Sequence, residues 1–289
     1  MWIYLNDRFV PEEEAKVSIF DHGFLYGDGL FETVRAYSGR IFALSEHLDR
    51  LSHSADRLEI LLPPRASLET LLYETLRQNQ LNNAMLRLTI TRGEAGIGLA
   101  PNSRPKAKTT LVITPRLFDG YAAEYYKNGV SAAIVSVRRN SPDALDPALK
   151  SLSFLNNVMA KIEATKKGAF EGIFLDLKGR LSEGTTSNLF WLQDGVIKTP
   201  AARASILEGI TRGVVLGLAK KTGISLKKGC YLPEELLGAE EAFLTNTGLE
   251  LMPLTKVNGK KIGTGLPGGM TRRLHQAFKE VVGLGACRT

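Results

Sequence analysis

Lysine, glutamate and arginine are too common to mark a site by type alone, so their position along the chain carries the argument. Lys150 is one of 37 Lys and Arg residues, and its ordinary state would be a solvated surface charge. Its setting is less ordinary. Pro142 and Pro147 stiffen the preceding loop, and the run SLSFLNNVMAKIEA reads as a helix that Lys150 opens, so its side chain should start from the edge of a rigid element. An amine is nucleophilic towards a carbonyl carbon only when its pKa is lowered, which partial desolvation achieves. A second chemical feature is Gly209-Ile210-Thr211, just before the helical run TRGVVLGLAKK. Exposed amides at a helix start bind anions, Thr211 adds a hydroxyl, and no acidic residue occupies the first turn. Glu183 before Gly184 reads by itself as a turn residue, and Arg50 as a helix-surface cation.

The elements that must position these residues fall into two halves. Trp2 to Leu5 and Arg8 to Val10 form an expected hairpin across Asn6-Asp7, and Leu30 to Tyr37 with Arg40 to Leu44 form another across Ser38-Gly39. Ser45 is expected to cap a helix with Leu48, Leu51, Ala55 and Leu58 on one face, stopped by Pro63-Pro64. Ser67 is expected to cap a second helix. Strands at Ala84 to Thr91 and Thr109 to Thr114 bracket a glycine-rich loop, Gly93 to Pro105, long enough to be functional. The polar, aromatic stretch 118–128 reads as a linker between an N-terminal domain, 1–117, and a strand-rich C-terminal domain, 129–289. Strands are expected at Val130 to Val137, Gly172 to Leu177, Asn188 to Leu192, Val196 to Thr199 and Ala242 to Thr245. Helices are expected at Leu152 to Lys167, Thr211 to Thr222 and Met270 to Val282. Hairpins mixed with helices imply two α+β domains rather than a doubly wound sheet.

Composition narrows the function classes. The 289-residue chain is 44% hydrophobic and 23% charged, as in globular proteins, and no apolar run is long enough to span a bilayer, so a cytoplasmic location is expected. Cys230 and Cys287 form no CxxC pair, which argues against a disulfide framework. The net charge of +7 and pI near 9.3 would suit an anionic partner, but the basic residues are scattered and nucleic acid is not expected. His22, His47, His53 and His275 show no HExxH pairing, so no catalytic metal is expected. A Walker sequence is absent, and Gly27-Asp28-Gly29 lacks the third glycine of a dinucleotide fingerprint.

The run KSLSFLNNVMAKIEA from Lys150 closely resembles the cofactor-binding segment of the fold-type IV, or class IV, pyridoxal-phosphate aminotransferases. YGDGLFETVRAY from Tyr26, SEGTTSNLFW from Ser182, LEGITR from Leu207 and LTNTGLELMP from Leu244 match further family segments in order, so the resemblance covers nearly the whole chain. It implies two α/β domains with pyridoxal 5'-phosphate between them, and a homodimer whose partner helps close the site. It also implies Lys150 as the Schiff-base lysine that moves the substrate proton. Glu183 would pair with the pyridine nitrogen. Arg50, Ile210, Thr211 and Thr247 would bind the phosphate, and Arg138 would lie near the cofactor.

Within the family the chain is most similar to branched-chain aminotransferases, which implies small amino acid and 2-oxo acid substrates: leucine, isoleucine and valine as donors to 2-oxoglutarate. Arg87 stands where those enzymes meet an acidic co-substrate, while Tyr26, Phe31, Ile97, Thr247 and Gly248 are the expected substrate contacts. D-amino-acid aminotransferases use an arginine and a histidine where this chain has Ile97 and Leu99, and aminodeoxychorismate lyases tend to have an arginine at Ile97. Both remain alternatives on the scaffold, and a basic binding protein without catalysis is a remote one. The chain departs from the branched-chain pattern at Thr33, usually glycine, and at Phe154 and Met85, usually tyrosines.

Overall fold

The computed structural model describes residues 1–99 and 108–283. Part of the glycine-rich loop, 100–105, and Cys287 lie outside the described residues. The described chain is a mixed α/β fold in two compact units, one of Met1–Asp119 with Leu149–Phe154 and one of Gly120–Ala148 with the remainder from Leu155.

The first unit runs β1 (Trp2–Leu5), β2 (Arg8–Pro11), α1 (His22–Tyr26), β3 (Gly29–Tyr37), β4 (Arg40–Ile41), α2 (Leu44–Leu58), α3 (Arg65–Gln78), β5 (Ala84–Thr91) and β6 (Thr110–Leu117). Its six-stranded sheet has the order β2-β1-β6-β5-β3-β4. Period-2 alternation makes β5 two-faced: Ala84, Leu86, Leu88 and Ile90 are buried, while Met85, Arg87 and Thr89 point the other way. The buried face joins Leu48, Leu51 and Ala55 of α2 and Leu68, Leu72 and Leu76 of α3 in one core. Each such leucine contributes about 1.5–3 kcal/mol relative to exposure.

Neither serine caps its helix as expected. The α2 N-cap is Ala43 at φ 50°, and the Ser45 hydroxyl instead accepts from Arg65 Nη2 at 2.8 Å. Because α2 begins at Leu44, β4 ends at Ile41. Pro64 is the N-cap of α3, while α2 ends earlier, at Leu58, with Glu59 as its left-handed C-cap at φ 51°.

The second unit runs α4 (Ala123–Asn128), β7 (Val130–Arg138), α5 (Leu155–Lys166), β8 (Glu171–Leu175), β9 (Leu181–Gly184), β10 (Asn188–Gln193), β11 (Val196–Pro200), α6 (Ile210–Lys221), β12 (Leu226–Gly229), α7 (Pro233–Leu237), β13 (Glu241–Asn246), β14 (Glu250–Val257), β15 (Lys260–Lys261) and α8 (Gly269–Val281). Its sheet has the order β12-β11-β10-β13-β14-β7-β8-β9, with β15 on β14. Parallel pairing of β7 with β8 requires a crossover, supplied by α5, while β8, β9 and β10 to β14 add mainly antiparallel pairs. The stretch 118–128 is not a plain linker: 123–128 form α4, Gly129 stops it at φ 75°, and the Tyr126 hydroxyl donates to Leu249 O at 3.2 Å. Among the described residues no helix is long and apolar enough to cross a membrane, and no group of three or more His, Cys, Asp or Glu could hold a metal.

Candidate active site

Lys150 does not open a helix. Its carbonyl accepts from Phe31 N at 3.0 Å, Leu152 N donates to Gly29 O at 2.8 Å, and Ser151 bridges Leu30, so residues 150–152 lie as a short antiparallel piece beside the start of β3. The backbone polar groups are satisfied by β3, and α5 starts only at Leu155. Lys150 N also donates to Ser54 Oγ of α2 at 3.4 Å. The half-buried side chain places Nζ 4.3 Å from the centroid of the Phe31 ring. Phe154 meets that ring edge-on at 5.5 Å, and the Arg87 guanidinium carbon lies 3.8 Å from it. One buried aromatic ring thus touches both an amine and a guanidinium, each contact contributing about 0.5–2 kcal/mol.

Arg87 reaches this ring because it sits opposite Thr33, two pairs along from Phe31 opposite Thr89 and so on the same sheet face, away from the helices. Desolvation lowers its pKa, although part of the residue remains exposed. Its Nε donates to Thr89 Oγ1 at 3.3 Å, and among the described residues no carboxylate pairs with it. Met85 and Thr33 lie on the same face. Tyr26, at the end of α1, accepts from Gly98 N at 3.0 Å and is 39% exposed. Ile97 and Leu99 stand 86% and 78% exposed, next to Gly96 and Gly98 at φ 76° and 135°.

Arg50 lies on the opposite, core side of β3. Its Nε and Nη2 donate to Glu32 Oε1 and Oε2 at 2.7 and 2.8 Å, so the guanidinium is a side-on fork against a buried carboxylate rather than a free surface cation.

In the second unit the centre is Glu183, on β9 and 4% exposed. Its Oε1 accepts from Arg139 Nε at 2.9 Å, and its Oε2 from Leu207 N at 2.9 Å and Asn188 Nδ2 at 3.2 Å. These donors reach both carboxylate oxygens, and the one from Arg139 is a guanidinium. Arg139 is in turn held by Asn157 Oδ1 at 3.2 Å, and Asn157 donates to Thr185 O at 2.7 Å. Arg138, expected near a bound group, is exposed and contributes its carbonyl to Asn156. The inward residue is its neighbour Arg139, whose amide bonds Leu175 O just beyond the end of β7.

Asn188 links this carboxylate to α6. It also donates to Leu207 O at 2.8 Å, and its Oδ1 lies where a Cβ on Gly209 would come within 2.1 Å. A side chain at Gly209 would therefore force the Asn188 amide to shift. As N-cap it gives α6 no side-chain hydrogen bond, and the first turn holds no acid, so the amide end carrying Ile210 and buried Thr211 keeps its positive character. Arg212, 2% exposed, donates to Pro200 O at 2.9 Å. Desolvation lowers its pKa against the opposing charges of Glu208 and Glu183. Thr247 and Gly248 occupy the β13–β14 turn, where Asn246 Oδ1 accepts from Gly248 N and Leu249 N while its Nδ2 donates to Thr186 O at 3.0 Å. The 185–187 segment is held by buried Glu171, which accepts from Thr185, Thr186 and Ser187 hydroxyls. Glu183, Leu207 just before α6, and Asn246 beside the Thr247 turn are thus joined by a continuous set of hydrogen bonds within one unit.

Sequence reasoning missed Arg139, Asn188, Asn157 and Glu171. Arg138-Arg139 gave a hint, but which of two adjacent arginines turns inward depends on where β7 ends. Asn188 lay within a quoted motif without a role.

The class IV amino-transferase family matches residues 29–257. A Methanocaldococcus jannaschii protein named as a branched-chain-amino-acid aminotransferase is 43% identical over 284 residues, 97% of this chain and 96% of its own. The aminodeoxychorismate lyase of Bacillus subtilis is 37% identical over 283 residues, 97% of this chain and 94% of its own. Among solved structures, the Escherichia coli branched-chain amino acid aminotransferase superposes with a TM-score of 0.93 at 32% identity, covering 99% of this chain and 96% of that one. Likeness of this extent, in sequence and in fold together, makes the chain a member of the class IV aminotransferase family and a pyridoxal-phosphate-dependent transaminase.

Proposed function

We propose that this enzyme transfers the amino group of leucine, isoleucine and valine to 2-oxoglutarate, with pyridoxal 5'-phosphate as cofactor. The observation that carries the reading is the Phe31 ring, with Lys150 Nζ at 4.3 Å and the Arg87 guanidinium carbon at 3.8 Å. An apolar wall beside the reactive amine suits an aliphatic side chain, each buried methylene contributing about 0.8 kcal/mol. A guanidinium without a carboxylate partner among the described residues suits the second carboxylate of an acidic co-substrate.

The side chains fit the cofactor by donor chemistry. When bound, pyridoxal phosphate supplies an aldehyde carbon for covalent capture of an amine and a ring that accepts electron density. Lys150 is the covalent anchor, and its amine carries the proton from the substrate Cα. Arg50 takes the phosphate. Glu183 accepts the ring N–H while Arg139 holds the carboxylate in place, and the amides of Ile210 and Thr211, the Thr211 hydroxyl and Thr247 take the phosphate. Thr247 and Gly248 also contact the substrate. Each turnover has two halves: an amino acid enters and its oxo acid leaves, then a second oxo acid enters and leaves aminated.

The assembly is proposed to be a homodimer, supported by the exposed apolar row Leu155, Val158, Met159 and Ile162 on α5. A screen of separate L- and D-amino acids with 2-oxoglutarate, together with an aminodeoxychorismate cleavage assay, tests the reading. Activity confined to D-alanine or to aminodeoxychorismate would overturn the substrate assignment.

A further inference from the structure

Glu32 follows Phe31 on β3, and period-2 alternation sends it to the other side of the sheet, between core residues Leu30 and Val34. It is 1% exposed. A carboxylate there is costly: burial alone would raise its pKa, and the charge of Arg50 with hydrogen bonds from His47 and Arg50 brings it down to about 2 instead. His47 Nδ1 lies 2.8 Å from Glu32 Oε2, the same oxygen that accepts from Arg50 Nη2 at 2.8 Å, while Oε1 accepts from Arg50 Nε at 2.7 Å. His47 and Arg50 are three residues apart and so share one face of α2.

Stability alone gives a weak reason for this cluster. A buried ion pair often contributes no more than apolar residues of the same volume, and the surroundings here are apolar. A bidentate fork does what an apolar contact cannot: it fixes the plane of the guanidinium and therefore the direction of Nη1. We propose that Glu32, steadied by His47, is a positioning residue that aims Arg50 at the cofactor phosphate. The proposal rests on the assignment of Arg50 to that phosphate.

The test compares the affinity of the full chain, stripped of cofactor and reconstituted, for pyridoxal phosphate and for pyridoxal. Pyridoxal lacks only the group that Arg50 is proposed to hold. Glu32→Gln keeps the size of the side chain and one acceptor but loses the charge and half of the fork. It should weaken pyridoxal phosphate binding about tenfold or more while pyridoxal binding stays within about twofold, a change in ratio worth about 1.4 kcal/mol per factor of ten. A merely structural Glu32 would weaken both ligands together, and unchanged phosphate affinity would be equally fatal. Glu32→Asp retains the charge for folding but withdraws the carboxylate by one methylene, and it should show the same selective loss if Glu32→Gln does not fold. Arg50→Lys separates the two ideas. If it leaves the ratio unchanged, the phosphate assignment of Arg50 fails, and any selective loss in Glu32→Gln then does not run through Arg50.

Discussion

Arg139 Nε stands 2.9 Å from Glu183 Oε1, with the two side chains only 8% and 6% exposed. Breaking such a pair from one side leaves the other charge buried without compensation, which typically costs about 3–5 kcal/mol. Arg139→Gln should therefore lower the unfolding free energy by that order in urea and reduce kcat about 10²-fold, because Glu183 loses the guanidinium that holds its carboxylate in place. Glu183→Gln should keep the fold and the cofactor yet lose a similar factor in kcat. Wild-type turnover in either variant would remove the pair from the reaction.

Lys150→Ala should remain folded, because residues 150–152 are held to β3 through backbone atoms of Lys150 and Leu152 that alanine retains. Treated with borohydride, the variant should fix no cofactor, as read by mass spectrometry of the intact chain. Cofactor still fixed covalently in the variant would point to a different lysine.

Arg87→Ala should separate the two half-reactions. A charged hydrogen bond to a second carboxylate contributes about 1.5–3 kcal/mol, so single-turnover kcat/KM with glutamate should fall roughly 10- to 100-fold. The rate with leucine should move much less, since its side chain asks only for the apolar Phe31 surface. Equal losses with both donors would contradict the assigned role.

The Glu32 cluster makes stability depend on acidity in a defined direction. Its folded-state pKa of about 2 lies below the ordinary value of 4.5, so the contribution is fully present above about pH 4.5 and is lost as pH falls towards 2. At one pKa unit per about 1.4 kcal/mol the effect is on the order of 3 kcal/mol. Urea unfolding of the wild type between those pH values should therefore show a slope that Glu32→Gln flattens.

Gly209→Ala should act through Asn188. The added Cβ would meet Asn188 Oδ1 at 2.1 Å and push it from Glu183 and Leu207. A loss of about 1–3 kcal/mol in unfolding free energy is expected, with weakened pyridoxal phosphate binding.

The strand expected at Ala84 to Thr91 is β5 with the same ends, and the tertiary structure shows that Arg87 and Met85 lie on its face opposite the core. Motif order along the chain was enough to indicate the family, and the helix start read after Gly209 is the start of α6, with no acid in its first turn. Local sequence could decide these because each depends on residues within a turn or a strand. What it could not decide depends on partners far along the chain. Residues 150–152 look like the start of a helix until the edge of β3 takes their backbone hydrogen bonds. Arg138 and Arg139 are equivalent in sequence, and only the position where β7 ends turns Arg139 towards Glu183, 44 residues on. Arg50 reads as a surface cation of α2 until α2 packs on β3 and meets Glu32, whose burial in an apolar core is affordable only because the tertiary fold brings a guanidinium and an imidazole to it.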